Sequence, residues 1–105
     1  MPKPVVVTAV FRPADGRHAE ARAAIEDVLP VVHAEDGCLL YALHEAADGT
    51  LVLIEKWESE GLLGAHAAGQ GVKQLTTAIE GLLAAPPTVV TMAPLPGGDP
   101  AKGRL

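Results

Sequence analysis

Three segments of this chain that read as β-strands are apolar on both of their faces. Val5-Val6-Val7 within residues 5–11 (VVVTAVF), Leu39-Leu40 within 38–45 (CLLYALHE) and Leu51-Val52-Leu53-Ile54 within 51–57 (LVLIEKW) show no alternation between a buried and a wetted side. A sheet built from them has to be covered twice. At 105 residues the chain has room for one domain of ordinary size, and its two helical stretches cannot cover both faces. The second cover is expected to be the same sheet of a second copy, which predicts a homodimer formed through the sheet face.

The helical stretches are legible from their period. From Arg17 onward, Ala21, Ile25, Val28, Leu29 and Val32 recur at steps of three and four, with Glu20, Arg22, Glu26 and Asp27 mostly opposite. Pro30 removes a backbone donor inside this run and predicts a kink or a loosened last turn. Ser59 suits a helix cap and Glu60 suits the first turn of the helix it opens. That helix carries Leu62, Leu63, His66 and Ala67. Gly69 and Gly71 interrupt it, and a further run puts Val72, Leu75, Ile79, Leu82 and Leu83 on one side until Pro86-Pro87. Residues 89–92 form a short fourth strand. The order β-α-β-β-α-β predicts a ferredoxin-like α+β fold over residues 4–93, a four-stranded antiparallel sheet with helices on one face. Residues 94–105, rich in Pro and Gly, read as a disordered tail.

Composition removes several function classes. Eight Lys+Arg against 13 Asp+Glu, a net charge of −5, argues against a nucleic-acid surface. A single Cys excludes a disulfide framework and a Cys-based zinc site. No His pair has the i, i+4 spacing of a helical metal site, and no dinucleotide fingerprint is present. The start of the chain has neither a long apolar stretch nor a small-residue cleavage site, and no apolar run approaches the ~20 residues of a membrane helix. The reading is a cytoplasmic protein without a membrane partner. In a chain that is 49% apolar, only Phe11, Tyr41 and Trp57 are aromatic, so each of them stands out.

Trp57 ends the third strand and is either a structural anchor or one wall of a cavity for an aromatic ligand. His66, nine residues later on a nearly uncharged helix, is either a hydrogen-bonded core residue or a group for proton transfer near neutrality. Glu55 shares the sheet face of Trp57. A carboxylate in an apolar strand needs a partner, with Arg12, Lys73 or a backbone group across the dimer as candidates. Hairpin register decides a further pair. A two-residue Asp48-Gly49 turn puts His44 opposite Leu53 on the side of Trp57, whereas a longer loop puts Tyr41 there. His18 and His33 flank the first helix and read as solvated. Cys38 reads as a buried structural thiol. The glycines from Gly64 to Gly71 lack the following Lys-Ser/Thr of a phosphate loop and are read as letting this segment bend over a cavity.

The series Ala34-Glu35-Asp36-Gly37-Cys38-Leu39-Leu40-Tyr41, then Glu55-Lys56-Trp57-Glu58-Ser59, then His66, resembles the antibiotic biosynthesis monooxygenase family. The stretch containing Arg12, Pro13, Gly16 and Arg17 is similar too, and the likeness spans residues 4–93. The resemblance implies a dimeric α+β barrel and oxygenation of quinols, anthrones or related phenols by O2 without a cofactor. In it Trp57 and His66 are the catalytic candidates, with His66 as proton acceptor or hydrogen-bond partner. Tyr41, His44, Thr8 and Glu55 are the candidates for holding the substrate. Haem binding and degradation is the alternative activity, with His66 as iron ligand. Haem degraders commonly carry an Asn on the first strand, and here Thr8 offers only a hydroxyl. A third reading is a stress-associated dimer that binds a small molecule without turnover.

Overall fold

The computed structural model describes residues 3–105. The elements run β1 (Val5–Phe11), α1 (His18–His33), β2 (Cys38–Glu45), β3 (Leu51–Trp57), α2 (Glu60–Ala67), α3 (Gln70–Ala78) and β4 (Thr88–Met92). The four strands form one antiparallel sheet in the order β2-β3-β1-β4, the ferredoxin-like arrangement that the element order implies. The second helical stretch is two helices, α2 and α3, divided at Gly69 where the sequence interrupts it. Gly69, extended at φ −88°, ψ 177°, caps the start of α3.

Alternation along the strands sorts their residues onto two faces. Val5, Val7, Ala9 and Phe11 of β1 pair with Trp57, Glu55, Leu53 and Leu51 of β3 and point to the helices. Here they meet Ala21, Ala24, Ile25, Val28 and Val32 of α1 in a single core. Fully burying side chains such as Ile25, Leu51 and Leu53 contributes about 1.5–3 kcal/mol each. The opposite face carries Val6, Val10, Val52, Ile54 and Val90. It is as apolar as the strand sequences require.

The helix α1 runs through Pro30 to His33. One expectation is corrected. Leu82 and Leu83 lie beyond the last helix, which ends at Ala78 with Ile79 as its C-cap, and Gly81 at a left-handed φ of +78° turns the chain away. They fold back on the β1–α1 connection, where Leu83 bridges to Pro13 and Leu82 O accepts from Ala14 N. Of the two hairpin loops the sequence left open, the longer forms, with three residues between Ala46 and Thr50. Ala46 N–H donates to Thr50 O at 2.8 Å and Gly49, at φ +88°, closes the loop, with Asp48 Oδ1 accepting from Thr50 N and Oγ1.

Residues 94–105 contain no helix or strand. A turn at Asp99 shapes them, and Lys56 Nζ donates to the Leu105 carbonyl at 2.7 Å. No helix among the described residues is long and apolar enough to cross a membrane.

Candidate active site

A cavity of about 400 Å³ lies between the inner faces of β1 and β4 and the helices α2 and α3. Its lining is mostly aliphatic, including Val7, Ala9, Leu53, Leu63, Leu75 and Ile79. Tyr41, Glu55 and His66 form a polar cluster in this wall, and Thr76 and Thr91 add two hydroxyls. No Lys or Arg lines it.

The three-residue hairpin loop decides which candidate from β2 reaches this cluster. Tyr41 pairs with Glu55, and His44 pairs with Val52. Tyr41 is therefore on the cavity side, while His44 is exposed on the outer face. Thr8, paired with Ile54 and Val90, is also on the outer face. Neither His44 nor Thr8 can touch a molecule in the cavity, because a strand residue one position out of phase points through the other side of the sheet.

Trp57 is fully buried and does not line the cavity. It stands behind the cavity wall, supporting two residues that do line it. Its indole stacks on the His66 imidazole, with ring centroids 4.3 Å apart and planes at 28°. Its Nε1–H donates to Glu55 Oε1 at 3.0 Å. Glu55 thus finds a partner two residues away on its own strand, not in Arg12 or Lys73. Tyr41 meets both rings edge-on, at 5.5 Å from His66 and 6.4 Å from Trp57.

His66 comes from α2, where the Ser59 hydroxyl accepts from Leu62 N–H at 3.2 Å. The imidazole is 7% exposed and lies between two carboxylates. Nδ1 is 2.8 Å from Glu35 Oε1, and Nε2 is 3.9 Å from Glu55 Oε1. The first is a hydrogen bond and the second is too long to be one. Glu35 was not singled out as a site residue from the sequence. It is 31 residues from His66, so no local period links the two. The only sequence signal is its place in the Glu35-Asp36-Gly37-Cys38 stretch. His33, read as solvated, is exposed at its surface but bonds the Tyr41 carbonyl through Nε2 at 2.8 Å. His18 pairs with Glu45 at the surface, 2.7 Å apart.

Burial sets the electrostatics. It pushes the Glu55 carboxyl above its usual value, with nearby Glu35 adding to the effect and the Trp57 hydrogen bond and His66 opposing it. Burial, then Glu55 and Glu35, pushes the Tyr41 phenol far above its usual range, so it remains a neutral donor at any working pH. Its hydroxyl makes no hydrogen bond among the described residues. The site can therefore offer a donor from Tyr41, acceptors from Glu55 and the His66 ring, set in a mostly aliphatic wall.

A haem propionate set against this lining would find no Lys or Arg there and the Glu55 carboxylate already present. Among the described residues no group of three or more His, Cys, Asp or Glu could hold a metal ion.

Comparisons with known proteins agree with this architecture. The sequence signature of the family described as "Antibiotic biosynthesis monooxygenase" matches residues 4–78. The chain is 35% identical over 96 residues to a Mycobacterium tuberculosis protein named "Putative monooxygenase Rv0793", covering 90% of this chain and 95% of that one. The solved structure of Rv0793 superposes with a TM-score of 0.83 at 34% identity, covering 91% of this chain and 99% of the other. PA3566 from Pseudomonas aeruginosa shares the fold at a TM-score of 0.81 and 23% identity, over 90% and 97% of the two chains. The buried Glu55–Trp57–His66 assembly thus sits on a fold and in a sequence frame that agree, and the chain belongs to the antibiotic biosynthesis monooxygenase family.

Proposed function

We propose that this protein is a cofactor-independent monooxygenase that oxidises a quinol- or anthrone-like aromatic with O2. The observation that carries this reading is the composition of the cavity wall, aliphatic over most of its area with Tyr41, Glu55 and His66 clustered within it. A flat, uncharged phenol matches such a wall. Its ring replaces water against the aliphatic side chains, and its hydroxyl meets the three polar groups. A carboxylated substrate would face Glu55 without a cation to offset it.

In the reaction, a base removes a proton from the bound phenol or anthrone. His66 Nε2 is the nitrogen available for this, since Nδ1 is engaged by Glu35. The Tyr41 hydroxyl donates to the oxyanion as it forms. The electron-rich carbon of the anion transfers an electron to O2, and the two radicals combine to a peroxide. Cleavage of the O–O bond with loss of the carbon-bound hydrogen leaves one oxygen as a quinone carbonyl, and the other departs as water. The aliphatic lining presents few groups that would hold water beside the anion and the peroxide.

The apolar outer sheet face supports a homodimer as the working form. Val10, Val52, Ile54 and Val90 are only partly covered within one chain, which a second sheet packed face to face would relieve. Sedimentation of the protein should give twice the chain mass, and a concentration-independent monomer would exclude this assembly.

Oxygen-electrode measurements with a panel of hydroquinones and anthrones, without added flavin or metal, test the activity. Uptake above the uncatalysed rate, lost in His66→Ala, is expected. Uptake at the uncatalysed rate across the whole panel would remove the reading.

A further inference from the structure

We propose that Glu35 is a positioning residue of this site. Its carboxylate holds the His66 proton on Nδ1, leaving Nε2 with the free lone pair that faces Glu55 and the cavity. The role in turnover rests on the oxygenase reading, but the hydrogen bond and the tautomer do not.

The chemistry of the pair fixes the direction of the bond. A carboxylate only accepts, so the 2.8 Å contact from His66 Nδ1 to Glu35 Oε1 requires a hydrogen on Nδ1. In the neutral ring Nε2 is then the acceptor. Nε2 stands 3.9 Å from Glu55 Oε1, outside hydrogen-bond distance. That separation leaves Nε2 uncommitted to a protein donor and able to accept from a hydroxyl in the cavity. Once Nε2 has taken a proton, the imidazolium lies between two carboxylates, which stabilises the charge as it forms.

The fold bears a cost to keep Glu35 in place. Its Oε2 is buried without a hydrogen-bond partner, an unfavourable state for a carboxylate oxygen. The helix α3 approaches this oxygen through Gly71, where a Cβ would come within 2.7 Å of Oε2 and 3.0 Å of Val32. The turn that carries Glu35 is fixed on both sides. Its own N–H donates to Val32 O, and its carbonyl accepts from Cys38 N. Gly37 follows at φ +81°, with Leu62 of α2 packed where a side chain would stand. The same α2 carries His66, so one packing contact sets the spacing of the pair. A residue serving stability alone would gain more from an apolar side chain here, since a carboxylate oxygen buried without a partner is unfavourable.

Nitrogen-15 NMR of the histidine rings tests the assignment, with His66→Ala identifying the resonance. Wild-type neutral His66 should be the Nδ1–H tautomer, and Glu35→Ala should shift it toward the Nε2–H form. An Nε2–H ring in the wild type, or a tautomer unchanged in Glu35→Ala, would overturn the proposal. Neither readout requires turnover, so failure of the oxygenase reading leaves them intact. If a phenol is oxidised, the nearly isosteric Glu35→Gln should lower kcat by about 10- to 100-fold with KM held within about twofold. An unchanged kcat would equally overturn it.

Discussion

Trp57 and Glu55 are joined across two positions of one strand by a buried hydrogen bond from indole Nε1 to carboxylate Oε1. The bond lets a fully buried Trp satisfy its only donor and lets an inward-facing carboxylate sit in an apolar strand. It also directs the indole face onto the His66 ring. One side chain thus supports both cavity-facing groups without touching the cavity.

Removing that donor while keeping an aromatic ring isolates its worth. Trp57→Phe should lower stability by about 1–3 kcal/mol, because a buried acceptor loses its partner. Trp57→Ala adds a cavity and should cost about 3–5 kcal/mol. Urea unfolding of the three proteins measures both steps.

The raised Glu55 carboxyl gives a signed pH dependence. Within the window between its ordinary value and its raised folded value, the native state keeps a proton that the unfolded chain has lost. Glu55 therefore makes stability fall as pH rises through that window. Glu55→Gln removes this titration while keeping an acceptor for the Trp57 indole. Its stability relative to wild type should climb as pH rises through the window, which chemical unfolding at a series of pH values from about 4 to 8 would reveal. A constant difference would contradict the assignment.

At Gly71 the neighbour, not the helix, should decide the outcome. Alanine is the better helix former by about 1 kcal/mol, yet its Cβ would press on Glu35 Oε2 and Val32. Gly71→Ala should destabilise by about 1–3 kcal/mol through overpacking. Combining it with Glu35→Ala should recover part of that loss, and a double-mutant cycle on unfolding free energies reads the coupling.

The Cys38 thiol is pushed up by burial and by the Glu35 and Glu55 carboxylates, with a hydrogen bond to the backbone opposing them. Its thiolate fraction near neutrality is correspondingly small. Aromatic disulfide reagents should label the native protein more slowly than the urea-unfolded chain at the same pH.

Hairpin register makes a prediction about turnover. Tyr41→Phe removes the phenolic donor and should lower kcat by about 10- to 100-fold. His44→Ala lies on the outer face and should leave turnover within about twofold. Steady-state oxygen uptake on the same substrate compares them.

The limits of the first three strands, the antiparallel sheet, the α1 face and the two-sided apolar character of the sheet were legible in the chain, because each depends on local period and propensity. The same holds for Ser59 as a cap and for Glu55 and Trp57 sharing a face, which strand alternation dictates over two residues. The choice between Tyr41 and His44 was not legible. It turns on one residue of loop length, and Asp48-Gly49 serves a two-residue and a three-residue hairpin equally well. Placement of Trp57 behind the wall, and of Thr8 on the far side, required the packing of α2 over β3 and the phase of β1. Glu35 lay furthest from sequence reasoning. Its role depends on a turn after α1 docking against α2 and on a glycine in α3 that leaves room for its carboxylate. The sequence by itself determined the elements and their faces, because backbone periodicity is local. Only the tertiary structure decided which side chains meet, because a contact across 31 residues of chain is set by how the elements pack.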